Sequence, residues 1–138
     1  MKGYLAGVAE KYQHVDNVVY TGYVPEEDVA RIFTESTVVV FPYTSTTGSS
    51  GVLHQAGSYG KATILPNLGD LGRLIEEEGY AGEYFEPENV QSLSNAIRKL
   101  ISNDSYRQKI ARQNFEAASA LSLEDIADWY LIHISKLI

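Results

Sequence analysis

The fold is decided by the stretch FPYTSTTGSSGVLHQA, residues 41–56. A β-branched apolar run ends at Pro42, and a loop of small residues then leads into an apolar helix. In a parallel α/β sheet this order places Gly48–Gly51 at the carboxyl edge of a strand and at the start of a helix. Backbone N–H groups and the positive end of the helix dipole meet there, which favours the binding of a phosphate.

The loop by itself also fits a second interpretation. Gly48, Ser49, Ser50 and Gly51 suit a tight strand-to-helix turn, because glycine permits unusual φ values and small residues fit close turns. The loop lacks the lysine of a nucleotide-hydrolase phosphate loop, and it is not a GxGxxG motif. Taken alone, it leaves both an anion site and a purely geometric turn open.

Composition limits the class of protein. The 138 residues suit one domain, residues 1–138, and a net charge of −7 argues against a nucleic-acid partner or an anionic membrane surface. The chain has no cysteine, which excludes disulfides and thiolate metal sites and favours the cytoplasm. No group of His, Asp and Glu has the spacing of a metal site, so we expect no bound metal.

Strand and helix patterns alternate along the chain. Apolar runs predict four strands, at residues 18–21, 37–41, 62–65 and 82–85. Helical patterns precede, separate and follow them: residues 2–13, a helix opened by Pro25, residues 50–59 ending at Gly60, a short helix at 71–75, and three tail helices starting near Asn89, Asp104 and Ser122. The alternation predicts an α/β fold, with a parallel Rossmann-like sheet of about four strands, flanking helices and a helical C-terminal tail.

Five short motifs follow one another in a fixed order. They are VVYTGYV at residues 18–24, FPY at 41–43, GSYGKA at 57–62, LGDL at 68–71 and EYFEP at 83–87. Over about residues 15–138, their order and spacing resemble the C-terminal, nucleotide-sugar-binding domain of the family 4 (group 1) retaining glycosyltransferases. That family has two Rossmann-like domains, so the resemblance implies part of the second one.

The resemblance implies roles for particular residues. The family's signature has two glutamates separated by seven residues, and this chain has Thr47 and Gln55 at those positions. Thr47 is then the candidate catalytic residue, which contacts the donor sugar, and Gln55 is a ribose contact or else a polar residue of the helix surface. The amides of Gly48–Gly51 hold the diphosphate. Tyr23 and Val24 flank the base or else only pack between strand and helix.

The resemblance also implies missing parts. In the family, two strands and a helix carrying an Arg and Lys pair come before the segment that this chain matches, and the acceptor-binding N-terminal domain comes before those. We therefore expect a truncated domain in which the gap beside the strand at 37–41 is filled. Either two copies form a homodimer through the exposed sheet edge, or the sheet is rearranged into four strands.

Two functions follow from these expectations. In the first, the chain is the donor-binding part of a hexosyltransferase that uses a nucleotide diphosphate sugar as substrate, needs no separate cofactor, and passes the hexose to a glycan or lipid acceptor. The isolated chain is then inactive. In the alternative, it is a non-catalytic nucleotide-binding or scaffold module that has lost transfer. An unrelated flavodoxin-like domain is a third interpretation.

Overall fold

A computed structural model describes residues 11, 16–42 and 51–137, with the backbone alone at Asp70, Leu74 and residues 121–137. The contacts divide the chain into two units, Met1–Ala30 and Arg31–Ile138. The single domain expected over residues 1–138 stays a prediction. The helix predicted at residues 2–13 falls almost wholly outside the described residues.

The described residues form an α/β fold with a three-stranded sheet. Its strands are all parallel and lie in the order β1-β2-β3. The elements are α1 (Glu26–Glu35), β1 (Val38–Val40), α2 (Gly51–Ser58), β2 (Ala62–Pro66), α3 (Gly69–Glu77), β3 (Glu83–Phe85), α4 (Val90–Ser102) and α5 (Asp104–Leu137). The predicted parallel sheet with flanking helices is therefore confirmed.

The prediction of a strand at residues 18–21 was wrong. Val18, Val19 and Tyr20 lie in neither helix nor strand, and Val19 is 82% exposed. An apolar run supplies the side chains for a strand but not the neighbouring backbone that a strand must pair with. The rearranged four-stranded sheet is therefore not formed by the described residues, where β1 and β3 are the edge strands. The homodimer stays a prediction.

Two helical layers cover the sheet. On one face Leu65 of the central strand packs with residues of α2 and α3, including Leu53 and Ile75. On the other face Ile64 packs with Leu100 of α4 and with residues of α5. Parallel strands joined by right-handed crossovers place successive helices on the same face, which accounts for α2 and α3 lying together. Because both faces are covered, all five residues of β2 are buried.

Glycine ends both helices that cross over the sheet. Gly60 has φ +65° and follows α2, and Gly79 has φ +87° and follows α3. At each end two backbone hydrogen bonds close a Schellman motif. The longer of the two runs from Lys61 N–H to the Ala56 carbonyl after α2, and from Tyr80 N–H to the Ile75 carbonyl after α3. The structure confirms Gly60 as the C-cap predicted from sequence.

The tail differs from its prediction in two places. The predicted cap at Asn89 is confirmed, because its side chain accepts from Ser92 N–H at 2.9 Å. At the next boundary Asn103, rather than Asp104, accepts from the first-turn Tyr106 N–H at 3.0 Å. The helix predicted to begin at Ser122 is the continuation of α5, because no glycine or proline interrupts residues 104–137.

Glu83, Lys99 and Tyr106 form a polar cluster that joins β3 to α4 and α5. Tyr106 Oη donates to Glu83 Oε2 at 2.7 Å, and Lys99 Nζ donates to Glu83 Oε1 at 3.0 Å. The hydrogen bond to Glu83, then burial, then the charge of Glu83 raise the pKa of Tyr106 to about 12. Deprotonation would break that hydrogen bond and place two anions side by side.

We expect Tyr106 to make the fold more sensitive to alkali. Its pKa is raised on folding, so its stabilising contribution is complete below about pH 10 and is lost as the pH rises to about 12. Tyr106→Phe should reduce the fall in the free energy of unfolding across that interval, measured by urea titration at both ends. Tyr59→Phe, whose ring stacks on Phe33, is the control. An equal fall in wild type and Tyr106→Phe would contradict the expectation.

Candidate functional site

The three parallel strands direct their carboxyl ends to one edge of the sheet. The segments that leave this edge begin with Phe41 and Pro42 after β1, Asn67 and Leu68 after β2, and Glu86 after β3. Loops at this edge are where ligands bind in open α/β sheets, because helix N-termini point towards it. A ligand-binding site is therefore expected at this edge.

The first turn of α2 lies at this edge. The helix begins at Gly51, and Val52 is exposed while Leu53 is buried and anchors the turn in the core. The first N–H groups of a helix have no acceptor within the helix itself, and the dipole adds positive potential. Thr47, Gly48, Ser49 and Ser50 lie outside the described residues, so their predicted contacts stay predictions.

Gln55 lies one turn beyond Gly51 on α2. Residues four apart share a helix face, and both of these are exposed. The rotation of the helix is fixed by its buried side and by His54, whose Nδ1 lies 2.9 Å from the hydroxyl of buried Tyr80. The structure therefore brings Gly51 and Gln55 to one exposed face of α2. His54 is a partner of Tyr80.

Tyr23 and Val24 lie in the first of the two units. Tyr23 is 90% exposed, and Val24 is half-buried. They come just before α1, where Asp28 N–H donates to the Pro25 carbonyl at 2.9 Å and three acidic residues fill the first turn. The start of the helix after Pro25 is confirmed. A contact of Tyr23 or Val24 with a base stays a prediction.

A cleft at the carboxyl edge was not predicted from the sequence. An open cleft of about 520 Å³ lies beside α3 and β3, and its lining includes Arg73, Glu76 and Tyr84. The sequence does contain a pattern that could have indicated this cleft. It consists of four residues spaced to share one helix face: Gly69, Gly72, Arg73 and Glu76. In the sequence, these residues indicated only a turn and a short helix.

Other classes of site would need grouped metal ligands or a membrane-spanning helix. Among the residues that the structure describes, no three His, Asp or Glu side chains are grouped as metal ligands would be. Within the same part of the chain, no helix is both long enough and apolar enough to cross a membrane.

Known structures share this fold. Sucrose-phosphate synthase from Thermosynechococcus elongatus superimposes with a TM-score of 0.68 at 21% identity, over 95% of this chain and 34% of that one. HepE from Anabaena, solved in complex with UDP and glucose, superimposes with a TM-score of 0.75 at 19% identity, over 96% of this chain and 37% of that one. At these identities the likeness shows a common fold.

Sequence comparison gives the family. The chain is 26% identical over 106 residues to O-antigen chain mannosyltransferase B from Escherichia coli, which covers 77% of this chain and 27% of that protein. This chain thus spans about a quarter of that relative and little more than a third of the two solved structures. The family model described as glycosyl transferases group 1 matches residues 2–103. The chain therefore belongs to the group 1 glycosyl transferases.

Proposed function

We propose that the chain binds the nucleotide diphosphate sugar donor for hexosyl transfer to a glycan or lipid acceptor. The observation that carries this proposal is the start of α2 at Gly51, at the carboxyl edge of a parallel sheet, in a chain of this family. The mannosyltransferase relative and the UDP and glucose bound to HepE support the same class of donor.

The proposed role of the α2 start is to stabilise the leaving group. When the bond between the hexose and the diphosphate breaks, negative charge grows on the departing phosphate oxygen. The acceptor oxygen forms the new bond to the hexose, and its proton passes to the departing diphosphate. In this proposal the backbone N–H groups of residues 48–51 and the dipole of α2 face this charge, and oriented dipoles of this kind stabilise a transition state strongly. Transfer with retention of configuration, and the inactivity of the isolated chain, are parts of this proposal.

Side chains around the helix start supply the remaining proposed contacts. The Gln55 amide both donates and accepts hydrogen bonds, which suits a pair of ribose hydroxyls. Thr47 contributes a hydroxyl to the donor sugar, and Tyr23 with Val24 flanks the base. The acceptor binds outside this chain. A cytoplasmic location and a homodimer belong to the same proposal.

One observation favours a second candidate function. Thr47 and Gln55 carry no charge at the positions where the family signature has glutamates. A chain without those carboxylates can keep nucleotide binding and lose transfer, which would make it a non-catalytic binding module. Turnover of a nucleotide sugar by the full-length protein separates the two functions.

We expect Gly51→Asp to weaken nucleotide diphosphate binding more than tenfold. Aspartate in the first turn of a helix favours folding through the dipole, but it places a negative charge beside the phosphates. Gln55→Ala should weaken binding by a few-fold to about tenfold, which is the range for the loss of one net hydrogen bond. Calorimetric titration with UDP, GDP and ADP measures both effects.

Gln108→Ala is the matched control, since Gln108 is an exposed glutamine on α5. Its affinity should equal that of the wild type. Unchanged affinity in both Gly51→Asp and Gln55→Ala would remove these residues from the site and leave α2 with a structural role only.

A further inference from the structure

The cleft beside α3 and β3 is built from the loop after β2 and one face of α3. Its volume of about 520 Å³ falls within the usual range of ligand pockets, about 300–1,000 Å³. It lies on the β2–α3 connection, whereas the proposed nucleotide site lies on the β1–α2 connection. The described residues that line it are Asn67, Gly69, Gly72, Arg73, Glu76 and Tyr84.

Glycines open the helical wall of this cleft. A Cβ atom added to Gly69 or Gly72 would meet no heavy atom within 4 Å, so both positions face open space. Leu71 and Ile75, on the other side of the helix, pack into the core and fix its rotation. A ligand can therefore approach the backbone of α3 closely at these two glycines.

The polar groups of the cleft supply both donors and acceptors. Arg73 only donates, Glu76 only accepts, and the Tyr84 hydroxyl does both. Asn67 Nδ2 donates to Glu86 Oε1 at 2.9 Å, which orients that amide. Burial and then the charge of Glu76 raise the pKa of Tyr84, so its hydroxyl keeps its proton at neutral pH.

The balance of charge selects the class of ligand. Among the lining residues whose side chains the structure describes, Arg73 is the cation and Glu76 is the anion, so these charges balance and leave no excess of positive charge for a phosphate. The one carboxylate among these described residues is also too few for a divalent cation, which takes six or more oxygen ligands. A neutral ligand with several hydroxyl groups and an apolar ring face matches the donors, the acceptors and the aromatic ring of Tyr84.

From this lining we propose that the cleft is a carbohydrate subsite that binds one pyranose ring without a nucleotide. The α3 backbone at Gly72 and the Tyr84 ring form its walls, and Arg73 and Glu76 bind hydroxyl groups. The site adds a second sugar position to the edge that carries the proposed donor site. It goes beyond donor binding and does not depend on it.

Amide NMR titration tests this subsite. Methyl α-D-mannopyranoside and methyl α-D-glucopyranoside are titrated separately into the full chain. We expect at least one of them to cause saturable shifts at the amides of Gly69, Gly72 and Tyr84, with affinity in the millimolar range. Gly72→Leu, which adds a bulky side chain where a Cβ atom meets no neighbour within 4 Å, and Arg73→Ala should each weaken binding at least about tenfold. Arg112→Ala changes an exposed arginine of α5 and should leave the affinity unchanged.

Several results would overturn the subsite. These are the absence of saturable shifts with both sugars, equal sugar affinity in Gly72→Leu, or shifts at the same amides with inorganic phosphate but not with sugar. A parallel titration with UDP reports on the amides of the first turn of α2. Shifts with a sugar but not with UDP would reject the donor site and keep the subsite. Shifts with UDP but with neither sugar would keep the donor site and reject the subsite.

Discussion

Gly57→Ala should lower the free energy of unfolding by about 1–3 kcal/mol, the usual cost of overpacking a tightly packed core. Gly57 is buried where α2 crosses α5. A Cβ atom there would lie 2.7 Å from the backbone carbonyl oxygen of Asn114, 3.1 Å from Ala118 Cβ and 3.2 Å from Tyr80 Cε1. The nearest of these atoms belongs to a helix backbone, so α5 must move as a whole to relieve the overlap with the added Cβ atom.

Gly72→Ala is the matched control, because it makes the same change inside a helix that has free space. Nothing lies within 4 Å of the added Cβ, so helix propensity alone should raise the free energy of unfolding by about 0.5–1 kcal/mol. Urea unfolding of both variants measures the two shifts. Equal shifts of the same sign would contradict the close contact between α2 and α5.

The second large effect is expected at Asn114, which is fully buried on α5. Its Oδ1 accepts from Ala81 N–H at 2.8 Å, and its Nδ2 donates to the Lys61 carbonyl at 3.1 Å. One side chain therefore connects α5 to the segments that lead into β2 and β3. Asn114→Ala removes both hydrogen bonds from two partly buried backbone groups and empties a fully buried position, which should cost about 2–5 kcal/mol in the free energy of unfolding.

Asn95→Ala provides the comparison for Asn114→Ala. Asn95 is exposed on α4 and accepts from Gln91 at 2.9 Å, so its loss should change the free energy of unfolding by less than about 0.5 kcal/mol. If Asn114→Ala costs no more than Asn95→Ala, the hydrogen bonds of Asn114 do not hold the amino edge of the sheet.

Local patterns were sufficient to predict most of the sheet and its crossovers. The apolar runs at Val38–Val40 and Ala62–Pro66 are strands because both faces are covered, and Gly60 ends α2 because its φ is positive. The same kind of run at residues 18–21 was predicted to be a strand and is not one. A strand depends on its neighbour in space, and a sequence pattern of four residues does not contain that neighbour.

The tail helices show a second limit of local patterns. Ser122 and Asp125 resemble the start of a helix, yet α5 continues through them. A serine begins a new helix as its N-cap only where its own backbone is not helical. Asn114 shows a third limit. A buried asparagine in a helix has no sequence signature, since its partners Lys61 and Ala81 lie far away along the chain.

The candidate site was predicted unevenly. The glycine-rich loop before α2 predicted a site at the carboxyl edge of the sheet. The structure places Gly51 and Gln55 on one exposed face of α2. The cleft at Arg73 and Glu76 was not predicted, because its residues come from a loop, a helix face and a strand that meet only in the fold. Spacing within one helix indicates a shared face but not what that face lies beside.

The most direct test of donor binding is the melting temperature of the full chain with and without UDP, GDP, ADP and their sugar conjugates. A ligand that binds the native state raises the melting temperature by mass action. The account predicts a rise with one nucleotide, dependent on its concentration and reduced in Gly51→Asp. A sharp melting transition that none of these ligands shifts would contradict the claim that this chain binds a nucleotide sugar.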